Sequence, residues 1–225
     1  MSQPDLPAPA RAALTALVDM LVTERDAPSS VRAPAEAWRV HVADSLAGAD
    51  LPELAGAKAI VDVGSGAGLP GLVLAATLPE ARVDLVESVG RKCEFMRRAI
   101  ERMGIGNARV VCERSETWAA GDGREAYDAV TARAVGRLAT IAELASPLLR
   151  KGGAVVAWKG RRDEDEEAEL ARAAPRIAIE PLEVRWVGPY AGSRNRHLHL
   201  MRKAGPTPSE LPRRPGVAKK RPFGK

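Results

Sequence analysis

Apolar positions along the chain follow two different periods. Leu14, Leu17, Val18, Leu21 and Val22 recur at helical spacing between Ala10 and Thr23, which gives one apolar stripe and predicts a helix. The stretch from Arg25 to Pro34 is broken by Pro28, Ser29, Ser30 and Pro34. A second helix is expected to open at Pro34, where a proline fits the first turn, and to carry Trp38, His41, Val42, Ser45 and Leu46. No strand pattern interrupts these helices, so residues 1–57 are expected to form a helical cap. From Lys58 onward short apolar runs take over: Ala59 to Val63, Val83 to Glu87, Arg109 to Cys112, Tyr127 to Thr131 and Ala154 to Trp158. Helical patterns separate most of them, over Pro70 to Leu78, Arg91 to Met103 and Leu138 to Leu149, the last stopped by Lys151-Gly152-Gly153. Strand and helix in alternation predict an α/β domain over 58–204, with a mostly parallel twisted sheet and helices on both faces. The runs Ile177 to Val187 and His197 to Arg202 are expected to close that sheet as a hairpin. The acidic run Asp163 to Glu169 reads as the exposed face of a helix, and residues 205–225 as a separate Pro-, Gly- and Lys/Arg-rich tail.

Charge changes this picture only at the end of the chain. The 225 residues carry a formal net charge of +5. The tail alone supplies all of it, with Arg213, Arg214, Lys219, Lys220, Arg221 and Lys225 against a single acid, Glu210. The body is therefore neutral, and the tail is what would attract a polyanion. A hydrophobic share of 45% excludes disorder throughout. No apolar run approaches the roughly 18 to 20 residues that span a bilayer. Two cysteines do not make a disulfide framework, and the Pro-rich start from Met1 to Ala10 lacks the charged and apolar blocks of a signal peptide. A soluble, monomeric protein of the reducing cytoplasm is expected.

The stretch Val61-Asp62-Val63-Gly64-Ser65-Gly66-Ala67-Gly68-Leu69-Pro70-Gly71 carries the most chemical information. It joins the first strand of the sheet to the following helix, where glycines allow a tight turn and close approach of a ligand to the main chain. Two ligands compete for it. Gly66, Gly68 and Gly71 have dinucleotide spacing, with Glu87 placed to hold a ribose, which suits an NAD(P)-dependent oxidoreductase. Gly64, Gly66 and Gly68 instead form the G-x-G-x-G loop of methyltransferases that use S-adenosylmethionine, with Asp62 ahead of it and the same Glu87 on the ribose. Asp62 would repel a pyrophosphate and suits the cationic amino end of a methionine. The chain is also short for an added dehydrogenase substrate domain, and no His or Lys stands ready to exchange the proton that accompanies hydride transfer.

Beyond the loop, the chain closely resembles the bacterial 16S rRNA guanine-N7 methyltransferase family, also called glucose-inhibited division protein B. The residues that carry the resemblance are Arg39-Val40-His41-Val42-Ala43-Asp44-Ser45-Leu46, Val61 through Gly71, Val86-Glu87-Ser88 leading to Arg91-Lys92-Cys93-Glu94-Phe95, and Arg114-Ser115-Glu116. Thr131-Ala132-Arg133-Ala134, Trp158-Lys159-Gly160 and the tail from Pro212 to Pro222 complete it. It departs from the family at Ala27-Pro28-Ser29, where Asn-Leu-Thr is usual, so an amide is lost and a hydroxyl kept.

The resemblance implies a Rossmann-like class I methyltransferase that uses S-adenosylmethionine. Its substrate would be N7 of guanosine 527 in the decoding-site loop of 16S rRNA, within the small ribosomal subunit. It also implies roles for residues. Gly64, Gly66, Gly68 and Leu69 would shape the methionine pocket and Glu87 would hold the ribose diol. Ser115 and Glu116 would border the adenine. Arg133 would stand at the mouth of the cofactor pocket facing the target base, as the catalytic candidate and as a cofactor-binding residue. Lys159, Arg194, Arg196, Arg213, Arg214, Lys219, Lys220 and Arg221 would meet RNA phosphates. N7 has a lone pair and no proton, so the transfer is a direct displacement that needs alignment and no general base. A non-catalytic RNA-binding module on the same fold is the remaining alternative.

The other notable side chains read as structural. Cys93 and Cys112 are expected to be separate, buried apolar residues, neither metal ligands nor a redox pair. His41 is expected to bond Asp44 one helical turn on. One of His197 and His199 faces outward from its strand, and Trp38, Trp118, Trp158 and Trp186 are expected to be core or groove walls, with no stacking platform among them.

Overall fold

The computed structural model describes residues 6–225; the first five residues of the Pro-rich N-terminus lie outside the described residues. Helix α1 spans Ala8–Thr23 and buries Leu14, Leu17, Val18 and Leu21. The second predicted helix is a continuous run built of α2 (Pro34–Ala37), a π-helical stretch over Trp38–Ala43 and α3 (Asp44–Leu46). A short α4 (Pro52–Ala55) leads into the sheet. The body then alternates β1 (Ala59–Val63), α5 (Gly71–Thr77), β2 (Arg82–Val86), α6 (Gly90–Met103), β3 (Ala108–Val111), α7 (Ser115–Ala120), β4 (Tyr127–Arg133), α8 (Leu138–Ala145) and β5 (Leu149–Lys159). Helix α9 (Glu164–Ala173), strands β6 (Ile179–Trp186) and β7 (His197–Lys203), and a last turn α10 (Val217–Lys220) complete the chain.

The seven strands lie in the order β3-β2-β1-β4-β5-β7-β6. Pairing is parallel from β3 through β5, while β7 runs antiparallel to β5 and β6 antiparallel to β7. Strand β1 is buried along its whole length, as a parallel strand covered on both faces must be. Its side chains alternate between two cores. Ile60 joins α1, α5 and α6 on one face through Leu14, Leu17, Leu72 and Phe95. Val61 and Val63 join α8 and α9 on the other through Ile141, Ala145 and Leu170, together with Leu211 and Phe223 from the tail. The order reverses between β1 and β4, and the crevice beyond their carboxyl ends is where an open α/β sheet binds its ligand.

Three expectations change. Lys151-Gly152-Gly153 is no helix stop but part of β5: pairing jumps from Tyr127↔Leu149 to Ala129↔Ala154, with Gly152 at φ +83° in the irregular stretch. The acidic run of α9 is not wholly exposed, since Glu166 and Glu169 are buried and paired with Lys159 and Arg137. Cys93 and Cys112 are joined as a disulfide between α6 and the end of β3, and Cys112 is exposed.

Candidate functional site

Two cavities open at the carboxyl edge of the sheet. The first, about 170 Å³, is lined by Gly64, Glu87, Ser115 and Glu116 among others. Of the three loop glycines expected to shape it, Gly64 is among its lining residues, and Gly66 and Gly68 are not. Gly64, Gly66 and Gly68 hold φ of +66°, +60° and +84°, a left-handed backbone that side chains resist. A Cβ on Gly64 would stand 3.0 Å from Val135, so the narrowness of this wall depends on hydrogen at that position.

Glu87 follows β2 and takes its hydrogen bonds from main-chain amides. Its Oε1 accepts from the amides of Ser88 and Val89 at 2.7 and 2.9 Å, and its Oε2 accepts from Gly66 at 3.1 Å. A carboxylate oxygen takes about two such bonds, so Oε1 is full while Oε2 keeps room for one more donor. Lys92 stands 3.7 Å from that same oxygen. A rigid acid with one acceptor site on the wall of this cavity fits a ribose hydroxyl. The donor set suits S-adenosylmethionine.

Asp62 does not face this cavity. It is fully buried beneath the loop, where Oδ1 accepts from Thr131 at 2.8 Å and Oδ2 from the Gly71 amide at 3.3 Å. Burial pushes its carboxyl up to about 6. The expectation that it meets a cationic ligand end is thus replaced by an internal role, tying the loop to β4 and the start of α5. Gly71 is spent in the same way: a Cβ there would lie 2.3 Å from Leu85 and 2.9 Å from Asp62. Its amide is therefore not offered to a pyrophosphate. Gly68 packs on Leu72 and Leu69 is buried, so both shape the loop from behind.

The second cavity, about 390 Å³, is lined by His41, Asp44, Arg133, Trp158, Lys159 and Arg196 among others. Arg133, the last residue of β4, lines this cavity and not the first. Asp44 of α3 organises it: Oδ2 accepts from Arg133 Nη1 at 2.9 Å and Oδ1 from Arg196 Nε at 3.1 Å. The Trp158 indole holds the Asp44 carbonyl at 2.9 Å. Two guanidiniums against one carboxylate leave a net positive pocket. Ala134, at φ +59°, follows Arg133, and Val135 already lines the first cavity. Three consecutive residues thus contribute to the walls of both chambers.

Several predicted contacts are committed elsewhere. Lys159 donates to Glu166 at 2.6 Å and to the Gly136 carbonyl, so it edges the second cavity already paired. Arg196 is held by Asp44, while Arg194 is exposed on the loop before β7. Arg213 is no surface contact: its guanidinium forks onto Glu143, with Nε 2.6 Å from Oε1. Arg214, Lys220 and Arg221 are exposed and line neither cavity, while Lys219, also exposed, borders the first cavity. His41 meets the Ser29 hydroxyl at 2.9 Å rather than Asp44. Burial first, then the Arg133 charge, lowers its pKa, so the ring is neutral at neutral pH. His199 is buried, and His197 bonds the Gly160 carbonyl. Trp158 is core, but Trp186 is 63% exposed, against expectation. Missed altogether was the Glu116 bond from the tail, where the Gly216 amide donates at 2.7 Å. Nothing local in the sequence joins residues so far apart.

A profile of the family described as rRNA small subunit methyltransferase G matches residues 13–198. The ribosomal RNA small subunit methyltransferase G of Pelotomaculum thermopropionicum is 42% identical over 186 residues, 81% of this chain and 77% of that one. Its counterpart from Rubrobacter xylanophilus is 41% identical over 197 residues, covering 85% and 75%. Among solved structures, the Burkholderia thailandensis 1,6-didemethyltoxoflavin-N1-methyltransferase with bound S-adenosylhomocysteine aligns with TM-score 0.54 at 21% identity, over 91% and 94% of the two chains. The Methanococcus jannaschii fibrillarin pre-rRNA processing protein aligns with TM-score 0.56 at 13% identity, over 72% and 74%. At such identities the structural likeness speaks for the fold alone.

Proposed function

The chain belongs to the rRNA small subunit methyltransferase G family, and from that premise we propose that it methylates N7 of guanosine 527 in 16S rRNA, as a monomer acting in the cytoplasm. The protein is an S-adenosylmethionine-dependent methyltransferase, and no helix among its described residues is long and apolar enough to cross a membrane. The nicotinamide reading is thereby set aside.

The observation that carries the proposal is the pair of chambers to which the segment 133–135 lends consecutive wall residues. In this reading the smaller one is the donor chamber. Glu87 binds the ribose through its free acceptor site, and Ser115 and Glu116 border the adenine. When bound, S-adenosylmethionine supplies a methyl group on a sulfonium. Arg133 and Arg196 give the larger chamber hydrogen-bond donors suited to guanine O6 or a flanking phosphate. Asp44 keeps both guanidiniums from swinging away. Guanine N7 needs no deprotonation, and the side chains match that: Asp44 is tied up by two arginines and His41 is a neutral ring held by Ser29. Rate then comes from holding the acceptor in line, an effect of several kcal/mol, up to roughly 7–11 in well-oriented reactions. The product base is a cation, which a net positive chamber repels, favouring release.

The proposed division of labour follows the chain. The cap, 1–57, lends Asp44 and His41; the body, 58–204, supplies both chambers; the tail, 205–225, borders the donor side and turns Arg214, Lys220 and Arg221 outward toward rRNA. The test is chemical. After incubation with small-subunit rRNA and S-adenosylmethionine, borohydride reduction and aniline should break the strand at one 7-methylguanosine, at nucleotide 527. An intact strand, or a break elsewhere, overturns the N7 assignment.

A further inference from the structure

The tail reads in the sequence as a separate cationic segment, yet it is built into the protein. Leu211 and Phe223 are buried in the same core as α8 and α9, and Ala218 is buried as well. Arg213 is clamped on Glu143, whose side chain is only 2% exposed, and the guanidiniums of Arg213 and Arg176 lie 3.9 and 4.2 Å from the Phe223 ring centre. The Gly224 carbonyl accepts from Arg172 at 2.7 Å and the Ala218 carbonyl from Thr140 at 3.3 Å. Anchored on both sides, the segment between passes across the donor chamber. There the Gly216 amide takes Glu116 Oε1, Ser115 donates to Oε2 at 3.3 Å, and Gly216, Ala218 and Lys219 line the wall.

We propose that residues 213–223 form a latch that closes the adenine side of the cofactor chamber, with Gly216 positioning the Glu116 carboxylate and Lys219 completing the wall. This rests on the assignment of the smaller cavity to S-adenosylmethionine. The segment then has two working faces. Its inner face holds the cofactor, while Arg214, Lys220 and Arg221 lie on its exposed face. By linkage, a ligand that orders the latch from one side favours binding on the other, and the factor is the same in both directions.

Trypsin reads the latch directly, because Arg213, Lys219 and Lys220 fall within it and none of the three is followed by proline. Saturating S-adenosylhomocysteine should slow cleavage there at least fivefold and leave the exposed site at Arg194 unchanged. In calorimetry, Lys219→Ala should raise the Kd for S-adenosylhomocysteine several-fold and tail-clipped protein at least tenfold, while Lys225→Ala binds like the wild type. Binding to the intact chain without tail protection, or a clipped chain and Lys219→Ala that bind normally, overturns the latch alone. No binding to the intact chain overturns the latch and the cofactor site together.

Discussion

Asp44→Asn is the most informative single change, because one carboxylate orders the whole acceptor chamber. The side chain of Asp44 is 10% exposed, Arg133 18% and Arg196 37%. Removing one partner of a buried ion pair costs about 3–5 kcal/mol, while an exposed pair is worth about 0–1 kcal/mol. Arg133 falls between these limits and nearer the first. Arg196, more than a third exposed, adds little. Asparagine still offers one acceptor, so the expected loss is about 2–3 kcal/mol, or roughly 4–12 °C in Tm for a chain of this size. Function should suffer separately. A guanidinium no longer aimed at the acceptor base forfeits about 1–3 kcal/mol of discrimination, a fall of about 5- to 150-fold in kcat/KM on rRNA. S-adenosylhomocysteine affinity should not change, because Asp44 does not line the donor chamber. Melting curves, calorimetry and initial rates on rRNA measure the three quantities, and a cycle with Arg133→Met should be strongly non-additive in rate. Wild-type kcat/KM in Asp44→Asn would refute the claim that this carboxylate positions the arginines.

Asp62 predicts a pH signature. Burial raises its folded pKa from 3.8 to about 6, so the folded state holds that proton more tightly than the unfolded chain. The resulting stabilisation is complete below pH 3.8 and is lost as pH rises through 6. Against Asp62→Asn, wild-type stability in urea should therefore decline by about 2–3 kcal/mol between pH 4 and 7; a constant difference would contradict the assignment. Gly71→Ala forces a methyl against Leu85 and Asp62 and should cost about 1–3 kcal/mol of overpacking in the same titration; an unchanged midpoint would show that α5 moves freely on the sheet. Reduction of Cys93–Cys112, which are 19 residues apart, should lower stability by about 3 kcal/mol. Identical melting with and without reductant would show that the two thiols are free.

How much of this was legible depended on range. The five parallel strands, the hairpin close and the helices α1, α5, α6 and α8 were readable because each declares its own period within a few residues. So was the glycine loop, whose three positive-φ positions fall where only glycine is comfortable. The six-residue α7 was too short to show a period. Pairings across the chain were hidden for a different reason. Asp44 reads as a polar residue on a helix until β4 and the loop before β7 bring Arg133 and Arg196 to it. Glu166 and Glu169 look like a solvated run until Lys159 and Arg137 arrive. Arg213 counts as a tail cation until Glu143, 70 residues away, removes it from the surface. Charge arithmetic placed the whole net charge in the tail and was correct as arithmetic, but composition does not show which cations are already spent. Trp186 shows the converse, an apolar residue on the edge strand that faces outward.

The central claim is that two chambers meet at residues 133–135, one for the donor and one for the base. Labelled methyl transfer by Arg133→Met tests it most directly. With small-subunit rRNA as acceptor, the wild-type chain should incorporate one methyl per molecule. Arg133→Met should bind S-adenosylhomocysteine within twofold of wild type yet transfer at least 100-fold more slowly. Full transfer by that variant, or loss of cofactor binding in step with activity, would contradict the separation of the two chambers.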